Sequence, residues 1–377
     1  MKRALQNILL FFTSILLLVL LLEGVLRVVK AKGSVRHTEA DPLLSHRFRK
    51  NFEYPNKSID YNVMIKTNSM GFRDDEFDEH KPEGTVRLMV LGDSFTAANQ
   101  VELEETFHSI LEKRLSEGGR KVELYSFGVP AYGNARQWLI YRLWAKKFKV
   151  DGVIWMIFAF NDPSDNADFI DRGYPWPGME NFQKKLEEAK NRPPPTKRRS
   201  INKWLDDHSY FYRWQKLITK LAAIKMKIML DMEVAKLRHL VSMFLEPDLE
   251  ENAHKWDITD TVLKGFAEEL KEDNMPAVVA IWLPEILADE KRFDETISAN
   301  GYDPEKYSVA DTRKMLERMK STLRAAGMVP IDLTDNLLKK WRSGTDISFK
   351  TDGHWNRAGN RLVADILEPE VRRMILQ

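Results

Sequence analysis

The chain contains no cysteine among its 377 residues, which excludes disulfides, thiolate metal ligands and a cysteine nucleophile. It also lacks an excess of charge, since 58 basic and 56 acidic residues leave a formal net charge of +2. Nucleic-acid-binding proteins carry a strong basic footprint, so no nucleic-acid partner is expected. The sequence has no GxxxxGK[ST] phosphate loop and no GxGxxG dinucleotide motif. A content of 43% hydrophobic residues is enough for a sizeable core.

The N-terminus carries one long apolar run. No charged residue occurs from Ala4 to Leu22, and as a helix such a run spans roughly 28 Å, about one hydrocarbon core. A cleaved signal peptide would need a shorter apolar core and a small-x-small cleavage site, whereas this run leads into Glu23 to Arg27. We therefore predict an uncleaved transmembrane helix. Basic residues flank both ends and leave the orientation open, but a short tail before the anchor and a large domain after it predict an exported domain, periplasmic or at the cell surface.

Beyond the anchor, strand patterns alternate with helical ones, which predicts a parallel α/β sheet. Short apolar runs that end at glycine, proline or asparagine are typical of its buried strands. The five predicted sheet strands are residues 88–91, 122–127, 153–158, 277–283 and 329–333. An earlier alternating segment, residues 61–67, predicts a further strand. A final helix is predicted to end at about Leu367.

The alternation breaks in the middle of the chain. A proline-rich basic stretch at residues 191–199 is typical of a surface linker, and residues 204–245 are helical in character. We interpret this region as a helical insertion packed on the domain, while a lid or a membrane-surface helix stays open as an alternative. The predicted organisation is an anchor at 1–32, a stalk at 33–60, an α/β domain at 61–165 and 256–377, and the linker and insertion at 166–255.

One serine lies where a predicted buried strand ends, in the stretch RLMVLGDSFT from Arg87 to Thr96. Open α/β sheets bind their ligands at the edge where the carboxyl ends of the strands meet, so Ser94 is a candidate nucleophile. A serine in a tight turn can also do no more than bind its own backbone. The case for catalysis therefore depends on residues from other segments of the chain that the fold would bring to the same edge.

An acyl-transfer site needs a base, a group that orients the base, and donors for the oxyanion. His354 is the candidate base, and Asp352, in the same glycine-containing loop, is the candidate orienting group. The candidate oxyanion donors are the backbone N–H groups of Ser94 and Gly128 and the side-chain amide of Asn161. Gly128 and Asn161 each follow a predicted strand, on the same edge as Ser94. Taken singly, each residue has a structural alternative: a helix-start histidine, a turn glycine or a capping asparagine.

A metal site is the weaker interpretation of the C-terminal segment. Its donors would be Asp346, Asp352 and His354, but a second histidine and an HExxH-type spacing are both lacking. No metal is therefore predicted.

Four segments together resemble the SGNH (GDSL-type) hydrolases. They are Gly92-Asp93-Ser94-Phe95-Thr96, Gly128 in SFGVPAYG, Asn161 in FAFND, and Asp352-Gly353-His354. The segment from Thr67 to Arg73 also resembles the approach segment of membrane-anchored bacterial members. Most of the family places the acid three residues before the histidine, where this chain has Thr351. The D-x-H variant resembles the alginate O-acetyltransferase-type branch, which acts on envelope polysaccharides.

The resemblance implies a three-layer, flavodoxin-like α/β/α fold and ester chemistry by a Ser-His-Asp triad that needs no metal or organic cofactor. The leading hypothesis is a membrane-anchored serine ester hydrolase or O-acyltransferase that acts on acyl esters of cell-envelope glycans or lipids. A non-catalytic envelope-binding or scaffold protein on the same fold is the alternative from another class. A phospholipid hydrolase that uses the insertion as a lid is a second alternative. The sequence leaves the oligomeric state open.

Overall fold

The computed structural model describes residues 2–28, 37–117, 119–191, 205, 208–225 and 228–376. It divides into two compact units, one made of Met1–Thr38 and Pro195–Asp231, the other of Glu39–Pro194 and Met232–Gln377. Four sequence features lie outside the described residues: the end of the predicted anchor at 29–32, the start of the predicted stalk at 33–36, most of the proline-rich linker at 192–199, and Trp204.

The strands of the described residues are short, and most belong to one sheet. In chain order they are β1 (Thr38–Asp41), β2 (Ser45–Phe48), β3 (Glu53–Lys57), β4 (Asn62–Lys66), β5 (Thr85–Leu91), β6 (Lys121–Ser126), β7 (Gly152–Phe158), β8 (Ala277–Trp282) and β9 (Ile331–Asp332).

The helices of the same residues range from one turn to seven turns. In chain order they are α1 (Lys2–Val28), α2 (Ser94–Ala97), α3 (Phe107–Ser116), α4 (Asn134–Phe148), α5 (Asp162–Asp171), α6 (Phe182–Lys190), α7 (Tyr210–Lys225), α8 (Ile228–Leu245), α9 (Glu250–Glu272), α10 (Glu285–Ala288), α11 (Glu290–Ala299), α12 (Val309–Ala325), α13 (Thr334–Arg342) and α14 (Arg357–Leu376).

The five-stranded sheet has the order β6-β5-β7-β8-β9, and every neighbouring pair is parallel. Numbered along the chain, this is the 2-1-3-4-5 order of flavodoxin-like folds. The centre of the sheet is shielded from solvent, since all seven residues of β7 are buried. The predicted five-stranded parallel sheet is therefore confirmed. The chain reverses direction across the sheet between β6 and β7, so the switch point lies at the carboxyl end of β5.

Helices cover both faces of the sheet. Helices α3 and α14 pack against each other, and α14 contacts β7 and β8, whereas α4, α5 and α12 pack around α9. Crossovers between parallel strands are right-handed, so the connection from β5 to β6 and the return from β6 to β7 place α3 and α4 on opposite faces. The result is the predicted three-layer α/β/α arrangement.

Part of the segment predicted as a stalk forms β-strands. Strands β1, β2 and β3 lie within residues 38–57, and β3 pairs antiparallel with β4, Glu53 opposite Lys66. Leu44 and Phe48 are buried in the main core. Their apolar side chains are isolated among polar neighbours, so the sequence pattern does not reveal that they reach the core.

The predicted insertion is helical, but both of its ends contribute to the main core. Phe169 and Phe182 are buried there from one side, and Val241 and Phe244 from the other. The C-terminal helix also continues beyond the predicted end, through Pro369 to Leu376. Burial of the Val371 side chain beyond the proline compensates for the backbone hydrogen bond that proline cannot donate.

The smaller unit contains α1 and α7. Within α1, the stretch Gln6–Val28 is long and apolar enough to cross a membrane. Near its end, Glu23 accepts hydrogen bonds from the backbone N–H groups of Tyr210 (3.0 Å) and Phe211 (2.8 Å) and from the hydroxyl of Ser209 (2.8 Å). The first N–H groups of a helix have no partner within the helix, so the Glu23 carboxylate caps the start of α7.

A buried arginine fixes the end of the one-turn helix α2. The Arg73 guanidinium is almost fully buried and donates to the carbonyl of Ala97 (2.8 Å) and to those of Ala98 and Val101. Ala98 adopts a left-handed conformation with φ 46°, which turns the chain out of the helix. Burial lowers the pKa of Arg73 to about 10, so the side chain still carries its charge at neutral pH.

Replacing Arg73 by methionine should lower the free energy of unfolding by about 3 kcal/mol, because three buried carbonyls lose their donor while the side-chain volume is kept. Urea unfolding of the purified protein measures the change. The matched control is Arg361→Met at an exposed position, where about 0.5 kcal/mol or less is expected. Equal losses in the two variants would contradict this role of Arg73.

Candidate active site

The candidate nucleophile stands at the first residue of α2, directly after β5. Asp93 precedes it and caps the helix, because its Oδ1 accepts the N–H of Phe95 at 2.9 Å. The turn is tight: a Cβ atom at Gly92 would lie 2.0 Å from Thr96 Oγ1. The half-buried Ser94 is therefore held at the carboxyl end of β5, an interior strand, at the switch point of the sheet.

The candidate base reaches this serine from the other end of the chain. His354 Nε2 lies 2.8 Å from Ser94 Oγ, a hydrogen-bond distance. The imidazole packs on Phe95, with ring centroids 4.6 Å apart, and Phe95 in turn contacts Trp355. The candidate nucleophile and the candidate base thus lie at a distance that allows proton transfer.

A short hairpin carries the histidine. Ser348 and Trp355 form an antiparallel bridge, and the N–H of Phe349 donates to the carbonyl of His354 at 2.8 Å. Gly353 at the tip has φ +74°, a conformation that favours glycine. This turn folds Asp352 back toward the imidazole two residues later.

Asp352 contacts the histidine through one carboxylate oxygen. Oδ1 accepts the backbone N–H of His354 at 3.0 Å and lies 3.5 Å from Nδ1 of the ring. The second distance is longer than a hydrogen bond but close enough for strong charge attraction. The D-x-H spacing therefore places the Asp352 carboxylate beside the His354 ring, in a looser contact than an oriented hydrogen bond.

The other oxygen of Asp352 is held by two residues that the sequence motifs do not include. Oδ2 accepts hydrogen bonds from the Tyr61 hydroxyl at 3.0 Å and from Gln100 Nε2 at 3.1 Å. Tyr61 precedes β4 and Gln100 follows α2, so both are far from Asp352 along the chain. No spacing or periodicity in the sequence pairs residues that only the folded chain brings together.

Electrostatic attraction between His354 and Asp352 shifts the pKa values of both groups. Burial opposes the charged imidazole, but the adjacent Asp352 carboxylate and the nearby Asp93 outweigh it and raise the pKa of His354 above its ordinary 6.5. Burial likewise opposes ionisation of Asp352, yet His354 and the Tyr61 hydroxyl hold its pKa below the ordinary 3.8. Asp352 therefore stays ionised at neutral pH and stabilises a protonated histidine.

The two remaining candidate residues follow the strands on either side of β5. Gly128, after β6, approaches α2 so closely that a Cβ atom there would lie 2.5 Å from the backbone nitrogen of Ala97. Asn161, after β7, donates through Nδ2 to Asp165 Oδ2 at 2.9 Å. An amide nitrogen has a second N–H to offer. The sheet order β6-β5-β7 thus brings Gly128, Ser94 and Asn161 to one edge.

Acidic side chains beneath this edge were not singled out by the sequence. Burial raises the pKa of Asp93, against hydrogen bonding by the Phe95 N–H, and raises that of Asp162 well above 3.8. Burial also raises the pKa of Asp165 to about 7, although the charge of Arg136 opposes this.

A small cavity of about 20 Å³, enough for one small group, is lined by the chain neighbours of the candidate residues, Phe95, Gly353 and Trp355, and not by Ser94 or His354 themselves. Aromatic and aliphatic side chains form most of its wall. The lining residues are Phe95, Trp282, Leu283, Pro284, Glu285, Thr334, Leu337, Leu338, Ile347, Ser348, Gly353 and Trp355.

Residues 244–377 match the family model described as the SGNH hydrolase-like domain of the acetyltransferase AlgX. The predicted resemblance to SGNH hydrolases, and to their AlgX-like branch, is confirmed over this part of the chain. The match contains Asp352 and His354, whereas Ser94, Gly128 and Asn161 lie before it. This match supports acyl esterase or acyltransferase chemistry as the general activity.

Solved structures of esterases are similar over most of the chain. An acetyl xylan esterase, AlAXEase, is 12% identical over 76% of this chain and 100% of its own, with a TM-score of 0.38. The esterase EstA from Pseudoalteromonas sp. is 10% identical over 77% of this chain and 99% of its own, with a TM-score of 0.39. A lipase/acylhydrolase from Enterococcus faecalis is 12% identical over 76% and 96%, also with a TM-score of 0.39. No curated protein sequence matches the chain.

The Asp352 carboxylate should control the titration of His354. In Asp352→Asn the pKa of His354 should fall by about 1 unit or more, because the neutral amide no longer stabilises the imidazolium. A pH titration of the imidazole by ¹⁵N NMR measures this. The control, Asp346→Asn, removes an exposed carboxylate from the same region and should leave the pKa in place. An unchanged pKa in Asp352→Asn would show that the pair is not coupled.

Proposed function

We propose that the protein is a serine-dependent ester hydrolase or O-acyltransferase with Ser94 as nucleophile, His354 as base and Asp352 as the orienting acid. The observation that carries the proposal is the 2.8 Å contact between Ser94 Oγ and His354 Nε2, with Asp352 on the far side of the imidazole. A serine activated in this way is the common requirement of acyl-enzyme chemistry.

In the first half-reaction, Ser94 Oγ attacks the acyl carbonyl carbon while His354 Nε2 takes the hydroxyl proton. The negative charge that develops on the carbonyl oxygen is stabilised by the N–H groups of Ser94 and Gly128 and by the Asn161 amide. Collapse of the tetrahedral intermediate breaks the ester bond, and His354 returns its proton to the departing alcohol. The acyl group is left on Ser94.

In the second half-reaction, His354 deprotonates either water or the hydroxyl of an acceptor, which attacks the acyl-enzyme. Water yields the free acid, and an acceptor hydroxyl yields a new ester. In both cases His354 gives the proton back to Ser94 Oγ as the acyl–enzyme bond breaks. All steps use side chains and backbone N–H groups, so the reaction needs no metal or organic cofactor.

The substrate class follows from the surroundings of the site. We take the 20 Å³ cavity lined by Phe95, Gly353 and Trp355 as the acyl pocket, and its size favours a short acyl group such as acetyl. The family model that matches residues 244–377 is described as that of an acetyltransferase, which agrees with this choice. The apolar α1 helix supports attachment to a membrane. We propose that the catalytic domain lies on the extracytoplasmic side of that membrane. We therefore propose acyl esters of cell-envelope glycans or lipids near the membrane as substrates.

A fluorophosphonate should form one adduct per folded chain, measured by intact mass on the detergent-solubilised protein. Ser94→Ala removes the nucleophile and should abolish the adduct, and His354→Ala should slow labelling by at least about 100-fold because the proton acceptor is lost. Ser109→Ala, a serine substitution on α3, is the control and should label normally. No adduct on folded wild-type protein would overturn the proposal and favour a non-catalytic envelope-binding or scaffold role.

The width of the cavity should decide the acyl length. Wild-type protein should cleave 4-nitrophenyl acetate more efficiently than the butyrate, and Ile347→Ala should move this preference toward butyrate by about 10-fold, since it removes three carbons from the wall. Leu316→Ala, a buried substitution elsewhere in the core, is the control for lost stability. A preference that does not move in Ile347→Ala would exclude this cavity as the acyl site.

A further inference from the structure

We infer that Tyr61 and Gln100 are positioning residues that aim the Asp352 carboxylate at His354. Both donate to the same atom, Asp352 Oδ2, at 3.0 and 3.1 Å. This leaves Oδ1 directed at the ring and at the backbone N–H of His354. The inference rests on the proposed function, in which the orientation of His354 matters for proton transfer.

The need for such a device follows from the short D-x-H spacing. Asp352 lies 3.5 Å from the ring nitrogen, too far for a hydrogen bond that would lock the pair by itself. A carboxylate can rotate about its Cα–Cβ and Cβ–Cγ bonds, and rotation would carry Oδ1 away from the imidazole. Two donors on Oδ2 restrict that rotation, because each has a fixed direction.

Tyr61 belongs to the β3–β4 hairpin, and the turn of this hairpin contacts the Asp352 loop through hydrogen bonds and ring packing. Asp60 Oδ2 accepts the backbone N–H of Thr351 at 2.9 Å and its hydroxyl at 2.6 Å. The Tyr61 ring also packs edge-on against Phe349, with centroids 5.2 Å apart. The hydroxyl of Tyr61 is therefore presented to Asp352 from a hairpin that is tied to the same loop.

The same hairpin contacts the segment that follows the nucleophile. Asn56 Nδ2 donates to the carbonyl of Asn99 at 2.7 Å, next to the largely buried Gln100. One hairpin thus joins the two chain segments that bring Ser94 and His354 together. This gives residues 53–66 a role in the site, although they lie outside the motifs of the family.

Tyr61 is suited to a donor role over the whole working range of pH. Burial and the negative charge of Asp352 raise the pKa of its hydroxyl above the ordinary 10. The hydroxyl therefore keeps its proton and goes on donating to the carboxylate. The Gln100 amide does not titrate, so neither donor is lost when the pH changes.

The test compares Tyr61→Phe, Gln100→Leu and the double variant, each of which removes donors with little change in volume. Each single variant keeps one donor, so its rate of fluorophosphonate labelling should fall by about 3- to 10-fold. In the double variant the fall in rate should exceed the product of the two single falls, because the two donors bind the same oxygen atom. Its pH–rate profile should move to lower pH by about half a unit, since the carboxylate no longer stays beside the imidazole.

Tyr141→Phe is the matched control, since it removes a tyrosine-to-aspartate hydrogen bond of 2.6 Å to Asp273 elsewhere in the fold. It should change thermal stability but neither the labelling profile nor the pKa of His354. If the double variant behaves in the same way, the two residues are merely structural and the inference is overturned. If the double variant does not fold, the pH–rate profiles of the two single variants provide the same test.

A ¹⁵N NMR titration of His354 separates this inference from the proposed function, because it needs no turnover. A lowered His354 pKa in the double variant supports positioning even if wild-type protein forms no adduct, an outcome that would defeat the proposed function alone. An unchanged pKa in the double variant, with normal labelling of the wild type, would overturn positioning and leave the proposed function intact.

Discussion

The carboxyl edge of the parallel sheet is the constraint on which the site depends. The order β6-β5-β7 forces three loops to leave the sheet side by side, and the loop after β5 carries Ser94. Close backbone approach then fixes the loops relative to one another: Gly92 lies against Thr96, and Gly128 lies against the backbone of Ala97. Any side chain at these glycines would separate the segments that the sheet brings together.

The histidine reaches this edge by a different route. It comes from a hairpin between α13 and α14, and its ring is supported by an aromatic cluster rather than by the sheet. Phe95, Trp282 and Trp355 pack around one another with centroids 4.8 to 5.4 Å apart. Because Phe95 directly follows Ser94, the packing that orients the imidazole also fixes helix α2.

Buried polar groups support the edge from below and from the side. Arg73 donates hydrogen bonds to the carbonyls at the end of α2, and Asp93 caps the beginning of that helix. Tyr61 and Gln100 meet on one oxygen of Asp352. In a core of low polarity such groups are stable only when their partners are present, so each of these contacts also selects one arrangement of the loops.

The sequence determined the local elements and the identity of the candidate residues. Apolar runs ending at glycine or asparagine predicted the sheet strands, and Ser94, Gly128, Asn161, Asp352 and His354 followed from their positions after strands or in a glycine-containing turn. These features depend on neighbours in the chain, which periodicity and turn chemistry record. The ordered strands within residues 38–57 were not predictable in this way, because Leu44 and Phe48 are single apolar residues whose burial depends on the rest of the core.

Only the tertiary structure decided which atoms meet. The 2.8 Å contact between Ser94 and His354 joins residues 260 positions apart, and Tyr61 reaches Asp352 across 291 positions. Side-chain contacts at such separations arise from the packing of whole elements and leave no local pattern in one sequence. The sequence therefore named the groups of a candidate ester-cleaving site, and the fold supplied their distances, their protonation and the hairpin that holds the acid.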